Sequence, residues 1–132
     1  MTDKYFLDSN IILYALGSEI SKKQKAQALI NREAIISTQV LTEITNVCLK
    51  KFMLSHEVVS HWVTLLASET QVKKISGDII IQAIQHAKIT KYSFYDSLII
   101  ATALNAGANI LYSEDMQHGR QYQQLKIVNP FL

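Results

Sequence analysis

The sequence is poor in the residues that punctuate or staple a chain. It has one cysteine, one proline, one tryptophan and four glycines among 132 residues. With Cys48 alone, no intrachain disulfide can form, which excludes the disulfide-framed secreted scaffolds. Pro130 alone and scarce glycine leave no linker, repeat or low-complexity run. No apolar run approaches the roughly 18–20 residues that a membrane helix needs. The opening MTDKYFLDSN has one lysine and two aspartates and no basic segment leading into an apolar one, so no secretory leader is expected. These absences together point to a reducing, cytoplasmic setting away from membranes. Charge of one sign is also missing: the net charge is +2, too small to mark a nucleic-acid binder by itself. No G-x-x-x-x-G-K-[ST] or G-x-G-x-x-G phosphate loop occurs. His56, His61 and His86 lack the H-x-x-x-H or H-E-x-x-H spacing of a zinc site.

What is present reads as one α/β domain spanning residues 1–132. Hydrophobic residues make up 48% of the chain, enough for an ordinary core. Residues 4–8 form a short strand, followed by a helical stretch over 9–16 that stops near Gly17. Ser21 is a good N-cap for KKQKAQALIN, a helix with Ala26, Leu29 and Ile30 on one face. AIIS (34–37) is a strand. Residues 38–54 carry Val40, Leu41, Ile44, Val47, Cys48 and Phe52 at helical spacing. Ser55 caps a second helix over 56–69, with Val58, Val59, Trp62, Leu65 and Leu66 inward, and the two helices make a hairpin. A strand over 70–76 and a helix over 77–89 follow. Ser93 begins a helix that ends at Gly107. ANILYS (108–113) is a strand of continuous apolar character, as in a sheet covered on both faces. A last strand lies within 125–131. Strands alternating with helices imply a small, mostly parallel sheet of five strands flanked by helices.

That architecture gathers the acids. Ligands of open parallel sheets bind beyond the carboxyl ends of the strands. Asp8 ends the first strand. Glu43 lies in the second turn of the helix after the second strand. Asp96 lies in the first turn of the helix that runs back before the fourth strand, and Glu114 and Asp115 directly follow that strand. All five reach one rim, and the rest of the molecule keeps thirteen Lys and Arg against six acids. A basic body around one acidic spot suits a phosphate-backbone partner. Converging carboxylates repel unless a cation joins them. Hard oxygen ligands select Mg²⁺ or Mn²⁺, which can polarise a phosphodiester and acidify a bound water. Each acid also has a plainer reading. Asp96 completes a capping box with Ser93, Asp8 can cap the helix that starts at Ser9, Glu43 can be a solvated helix residue, and Asp115 a loop residue. Only their joint placement argues for a site.

FLDSNIILY, the glutamate of LTEITNV, and YDSLIIATALNAGANILYSEDMQHG, at their mutual spacing, resemble the PIN domain family, and within it the VapC toxins of bacterial toxin–antitoxin pairs. The resemblance spans essentially the whole chain and is most specific from Asp96 to Gly119. It implies a parallel five-stranded sheet flanked by helices and a Mg²⁺- or Mn²⁺-dependent endoribonuclease. Asp8, Glu43, Asp96 and Asp115 match the four acids, which would hold the metal and carry catalysis. Ser113 matches the small polar position before the fourth acid. Asn10 matches a polar position that supports the first acid, and Glu114 a neighbour whose role varies. The resemblance also implies an RNA substrate, a homodimer, and a cognate antitoxin whose C-terminal segment enters the active-site groove.

The remaining candidates are ordinary. His118 reads as a loop residue and Cys48 as part of a helix core stripe. Tyr92, Phe94 and Tyr95 could stack on RNA bases at the rim or pack at a helix start. Lys22, Lys23, Lys25, Lys50, Lys51 and Arg120 are available for phosphates, and no one of them stands out. A phosphatase D-x-D-x-T motif and the acids, Thr and Lys of a phospho-receiver domain are absent. The rival reading is a non-catalytic PIN-fold module that binds RNA or protein.

Overall fold

The computed structural model describes residues 3–132; the expected start of the domain at residue 1 lies outside them. The described residues form six strands and six helices, with a pair of helices after each of the first three strands: β1 (Tyr5–Leu7), α1 (Ser9–Ala15), α2 (Ile20–Leu29), β2 (Ala34–Ser37), α3 (Thr38–Lys50), α4 (His56–Glu69), β3 (Gln71–Lys73), α5 (Gly77–Thr90), α6 (Phe94–Asn105), β4 (Ile110–Tyr112), β5 (Gln121–Tyr122) and β6 (Leu125–Val128). They form one sheet in the order β3-β2-β1-β4-β6-β5. Every pairing is parallel except β5 against β6.

The α/β class and the mostly parallel sheet are as expected, with six strands rather than five. The added strand, β5, has two residues and turns back onto β6 through Gln123, whose φ is 55°. Two residues are too few to leave an alternating pattern in the sequence.

Phe6 and Leu7 are neighbours on β1, point to opposite faces, and are both fully buried, as are Ile36, Leu111 and Ile127 on the flanking strands. Helices therefore cover both faces of the sheet, which is why its strands read as continuous apolar runs. The core joins α1, α3 and the sheet, with a satellite of Ile79, Ala83, Leu98 and Ala101 where α5 packs on α6. Every residue of α6 from Ser97 to Ala103 is buried, so over this run the helix is covered on all sides and shows no solvent-facing stripe. Gly107, at φ +80°, ends its capping turn, where the Ala108 N–H returns to the Ala103 carbonyl. No helix among the described residues is long and apolar enough to cross a membrane.

Three local expectations differ. α2 starts at Ile20 with Glu19 in the cap position and no side-chain cap, so Ser21 lies inside the first turn. α3 ends at Lys50, before Phe52, which is left partly exposed. On α4, Val59 and Leu66 are buried while Val58 and Leu65 are exposed, because only one stripe of that helix meets the core.

The topology positions the site. From β1 the chain winds outward through β2 and β3, then crosses back to place β4 on the other side of β1. The sheet reverses its winding between β1 and β4, and such a switch point opens a crevice at the carboxyl edge.

Candidate active site

Asp8 sits in that crevice and is 6% exposed. Its backbone closes the sheet, the Asp8 N–H donating to the Tyr112 carbonyl at 3.0 Å. Its Oδ1 accepts from the Ser9 N–H at 2.8 Å and caps α1. Its Oδ2 accepts from the Ser113 hydroxyl at 2.9 Å. The capping reading and the site reading of Asp8 are thus both realised. Two hydrogen bonds do not offset the loss of water, and burial pushes its carboxyl up to about 6, with the charges of Asp96 and Asp115 acting in the same direction.

The other acids share this electrostatic environment. Glu43, in the second turn of α3, is pushed up to about 7 by burial first and by the Asp8 charge next, with Asp96 adding to them and the Ser9 side chain opposing. Its Oε1 is buried and has no hydrogen-bond partner. Asp96 is raised by burial and by Asp115, with Ser93 opposing. Ser93 caps α6, its hydroxyl accepting from the Asp96 N–H at 3.2 Å. Asp115 lies exposed after β4. Four acids from four segments therefore act on one another's charge.

Among the described residues none of the four is in an ion pair. Among the described residues the ion pairs are Lys22 with Glu19 at 3.9 Å and Lys22 with Glu114 at 2.7 Å. No three His, Cys, Asp or Glu side chains among the described residues are grouped so as to hold a metal ion. The donor set nonetheless suits a hard divalent cation: all-carboxylate, partly buried, mutually repelling, and with one buried carboxylate oxygen unpartnered.

The supporting residues divide. Ser113, expected only as the small polar residue before the fourth acid, is fully buried, and its hydroxyl donates to Asp8. Asn10 instead serves the strand end across the crevice: its Oδ1 accepts from the Glu114 N–H at 3.3 Å, and its Nδ2 is buried without a partner. Glu114 is bound on both oxygens, to Tyr14 and Lys22. Lys22 is therefore committed and not one of the free phosphate contacts. Arg120 is committed too, with its Nη2 donating to the Thr90 carbonyl at 3.2 Å and its guanidinium over the Tyr92 ring. The Tyr92 hydroxyl accepts from the Gln117 N–H. Phe94 and Tyr95 are exposed at the start of α6. His118 is a loop residue whose Nδ1 accepts from the Asn129 N–H at 3.0 Å, and Cys48 is a buried free thiol.

Sequence reasoning missed Gln39. It is buried, and its Nε2 donates to the Tyr95 carbonyl at 3.2 Å, tying α3 to the start of α6 and so the Glu43 segment to the Asp96 segment. The available signal was its position four residues before Glu43, one turn along the same helix face.

Beside the acids lies an open cleft of about 410 Å³ bordered by Asn10, Tyr14, Lys51, Phe52, Glu114 and Asp115. A second groove of about 490 Å³, largely apolar, runs between the first four helices past Ile12, Leu16, Ile44, Cys48 and Trp62.

Solved structures of similar fold include a toxin–antitoxin complex from Klebsiella pneumoniae, with a TM-score of 0.73 and 21% identity over 96% of this chain and 97% of that one. VapC20 of Mycobacterium tuberculosis, described as a sarcin–ricin loop cleaving toxin, has a TM-score of 0.65 and 18% identity over 84% of this chain and 89% of its own. VapBC-1 of nontypeable Haemophilus influenzae has a TM-score of 0.66 and 18% identity over 96% and 97%. At these identities the likeness is one of fold. No curated protein matches the sequence. The PIN domain family model matches residues 5–122, a span that includes all four acids and the strands and helices that position them, and the chain belongs to the PIN domain family.

Proposed function

We propose that this protein is a metal-dependent endoribonuclease, the toxin of a VapBC-like toxin–antitoxin pair. One observation carries the reading: Asp8 is buried, the charges of Asp96 and Asp115 raise its carboxyl, its own charge raises that of Glu43, and among the described residues no ion pair answers any of the four. Asp8, Asp96 and Asp115 would hold one or two Mg²⁺ or Mn²⁺ ions, with Glu43 joining directly or through water. When bound there, such a cation would supply charge neutralisation at the scissile phosphodiester and a lowered pKa for a water. The chain's own contribution is to orient the acids. Ser9 and Ser113 fix both oxygens of Asp8, Ser93 fixes the first turn of α6, and Gln39 joins that turn to α3. Cleavage of single-stranded or looped RNA leaves a 5′-phosphate and a 3′-hydroxyl.

Membership in the PIN family supports the nuclease chemistry, and structural neighbours that are toxin–antitoxin complexes support a cognate antitoxin as partner; a homodimer in the cytoplasm completes the proposal and rests on the family resemblance alone. The test compares purified wild type with Asp8→Asn on mapped RNA, with Mn²⁺, Mg²⁺ or EDTA. Cleavage is expected only for wild type with metal. Undiminished cleavage by Asp8→Asn, or cleavage in EDTA, refutes the assignment. Wild type that binds RNA but no Mn²⁺ would instead be a binding module on a nuclease fold.

A further inference from the structure

The residue beside the fourth acid invites a simple assignment, as a fifth metal ligand. The contacts of Glu114 argue otherwise. Its Oε1 accepts from the Tyr14 hydroxyl at 2.6 Å and its Oε2 from the Lys22 ammonium at 2.7 Å. Tyr14 spends its one proton on the carboxylate, so its oxygen is left to accept from Lys22 at 3.3 Å. The ammonium lies 4.5 Å from the Tyr14 ring centroid and 5.4 Å from that of Phe131, and the two rings meet edge to face at 5.0 Å. A cation over two rings and on a carboxylate is held from several sides. The Glu114 backbone is held as well, through its N–H to Asn10. One residue earlier, Ser113 is tied to Asp8 by its hydroxyl and to the Val128 carbonyl by its N–H.

The turn after β4 is therefore pinned by α1, by α2 and by the end of β6. The only acid in it left unclamped is Asp115. We propose that Glu114 is a positioning residue and not a metal ligand: the Lys22–Glu114–Tyr14 clamp fixes the turn after β4 so that Asp115 is presented to Asp8 and Asp96. This rests on the metal-dependent reading of the four acids, and it gives Tyr14 and Lys22, on two different helices, a part in building the site. Residues that orient a metal ligand from outside commonly change metal affinity by about 10–100-fold when lost.

Mn²⁺ binding to the full chain, measured by calorimetry, separates the two roles by sign. Lys22→Met leaves the Glu114 carboxylate in place, removes the cation that clamps it and removes a positive charge from the neighbourhood. If the clamp positions Asp115, Mn²⁺ binding weakens by about tenfold, and the Mn²⁺ concentration for half-maximal cleavage rises in parallel while kcat at saturating Mn²⁺ is largely kept. If Glu114 is a ligand, Lys22→Met binds Mn²⁺ as tightly as wild type or tighter, and the proposal is overturned. A charge exchange gives a second, independent answer. Glu114→Lys weakens Mn²⁺ binding in either case, but adding Lys22→Glu restores most of it only if the pair acts as a clamp. A folded exchange variant that stays as weak as Glu114→Lys counts against the proposal. Wild type that binds no Mn²⁺ overturns the metal reading itself, a result distinct from normal wild-type binding with an unweakened Lys22→Met.

Discussion

Asp8→Asn should stabilise the metal-free protein at neutral pH while abolishing cleavage. Burial raises the Asp8 carboxyl from 3.8 to about 6, so the folded state holds this proton more tightly than the unfolded chain does. The group's favourable contribution is complete below about pH 4 and is lost as pH rises through about 6. A shift of about 2 pKa units corresponds to about 3 kcal/mol at full ionisation. Asparagine does not titrate. It keeps the Oδ1 acceptor for the Ser9 N–H, and its amide can donate to the Ser113 oxygen, which accepts as readily as it donates. The gain of Asp8→Asn over wild type should therefore be only about 1 kcal/mol at pH 4.5 and approach ~3 kcal/mol at pH 8. That ceiling is lowered by coupling, since Glu43 and Asp96 titrate in the same cluster. For a domain of this size the gain is a rise in Tm of about 10 °C. Urea and thermal unfolding in EDTA, at both pH values, measure it. Saturating Mn²⁺ should narrow the gap by stabilising wild type alone, by about 2.7 kcal/mol at a hundred times Kd. An Asp8→Asn protein less stable than wild type at pH 8, or a difference that does not change with pH, would refute the claim that Asp8 is a buried charge without a counter-cation.

Two further outcomes follow from the same contacts. Ser113→Ala removes the hydroxyl that accompanies the Asp8 charge in a fully buried place. It should cost about 1–3 kcal/mol at pH 8 and less at pH 4.5, where Asp8 is protonated, and unfolding curves at the two pH values test that asymmetry. Ser55→Ala removes the cap of α4, whose hydroxyl accepts from the Val58 N–H at 3.2 Å. It should cost about 1 kcal/mol without changing Mn²⁺-dependent cleavage per folded molecule, and a loss of turnover would mean that α4 contributes to the site.

The sequence by itself determined what depends on short range. Apolar spacing marked α3, α4 and the continuous strand before Ser113, while Ser55 and Ser93 marked helix starts and Gly107 a helix end, because caps and periodicities are set by neighbours within a turn or two. Alternation of strands and helices then placed Asp8, Glu43, Asp96 and Asp115 at one edge, since a crossover connection fixes the direction of each element. Which stripe of α4 meets the core, and that β5 exists at all, followed from packing and from a two-residue pairing too short to leave a pattern. The work assigned to Glu114, Asn10 and Lys22 was decided only in three dimensions. Tyr14 and Lys22 reach Glu114 from 100 and 92 residues away, and they meet because β1 and β4 are adjacent at the point where the sheet reverses its winding. A side chain's partner at that distance depends on the packed fold and leaves no trace in local spacing, whereas the cost of burying a carboxylate does not depend on where in the chain its relief comes from.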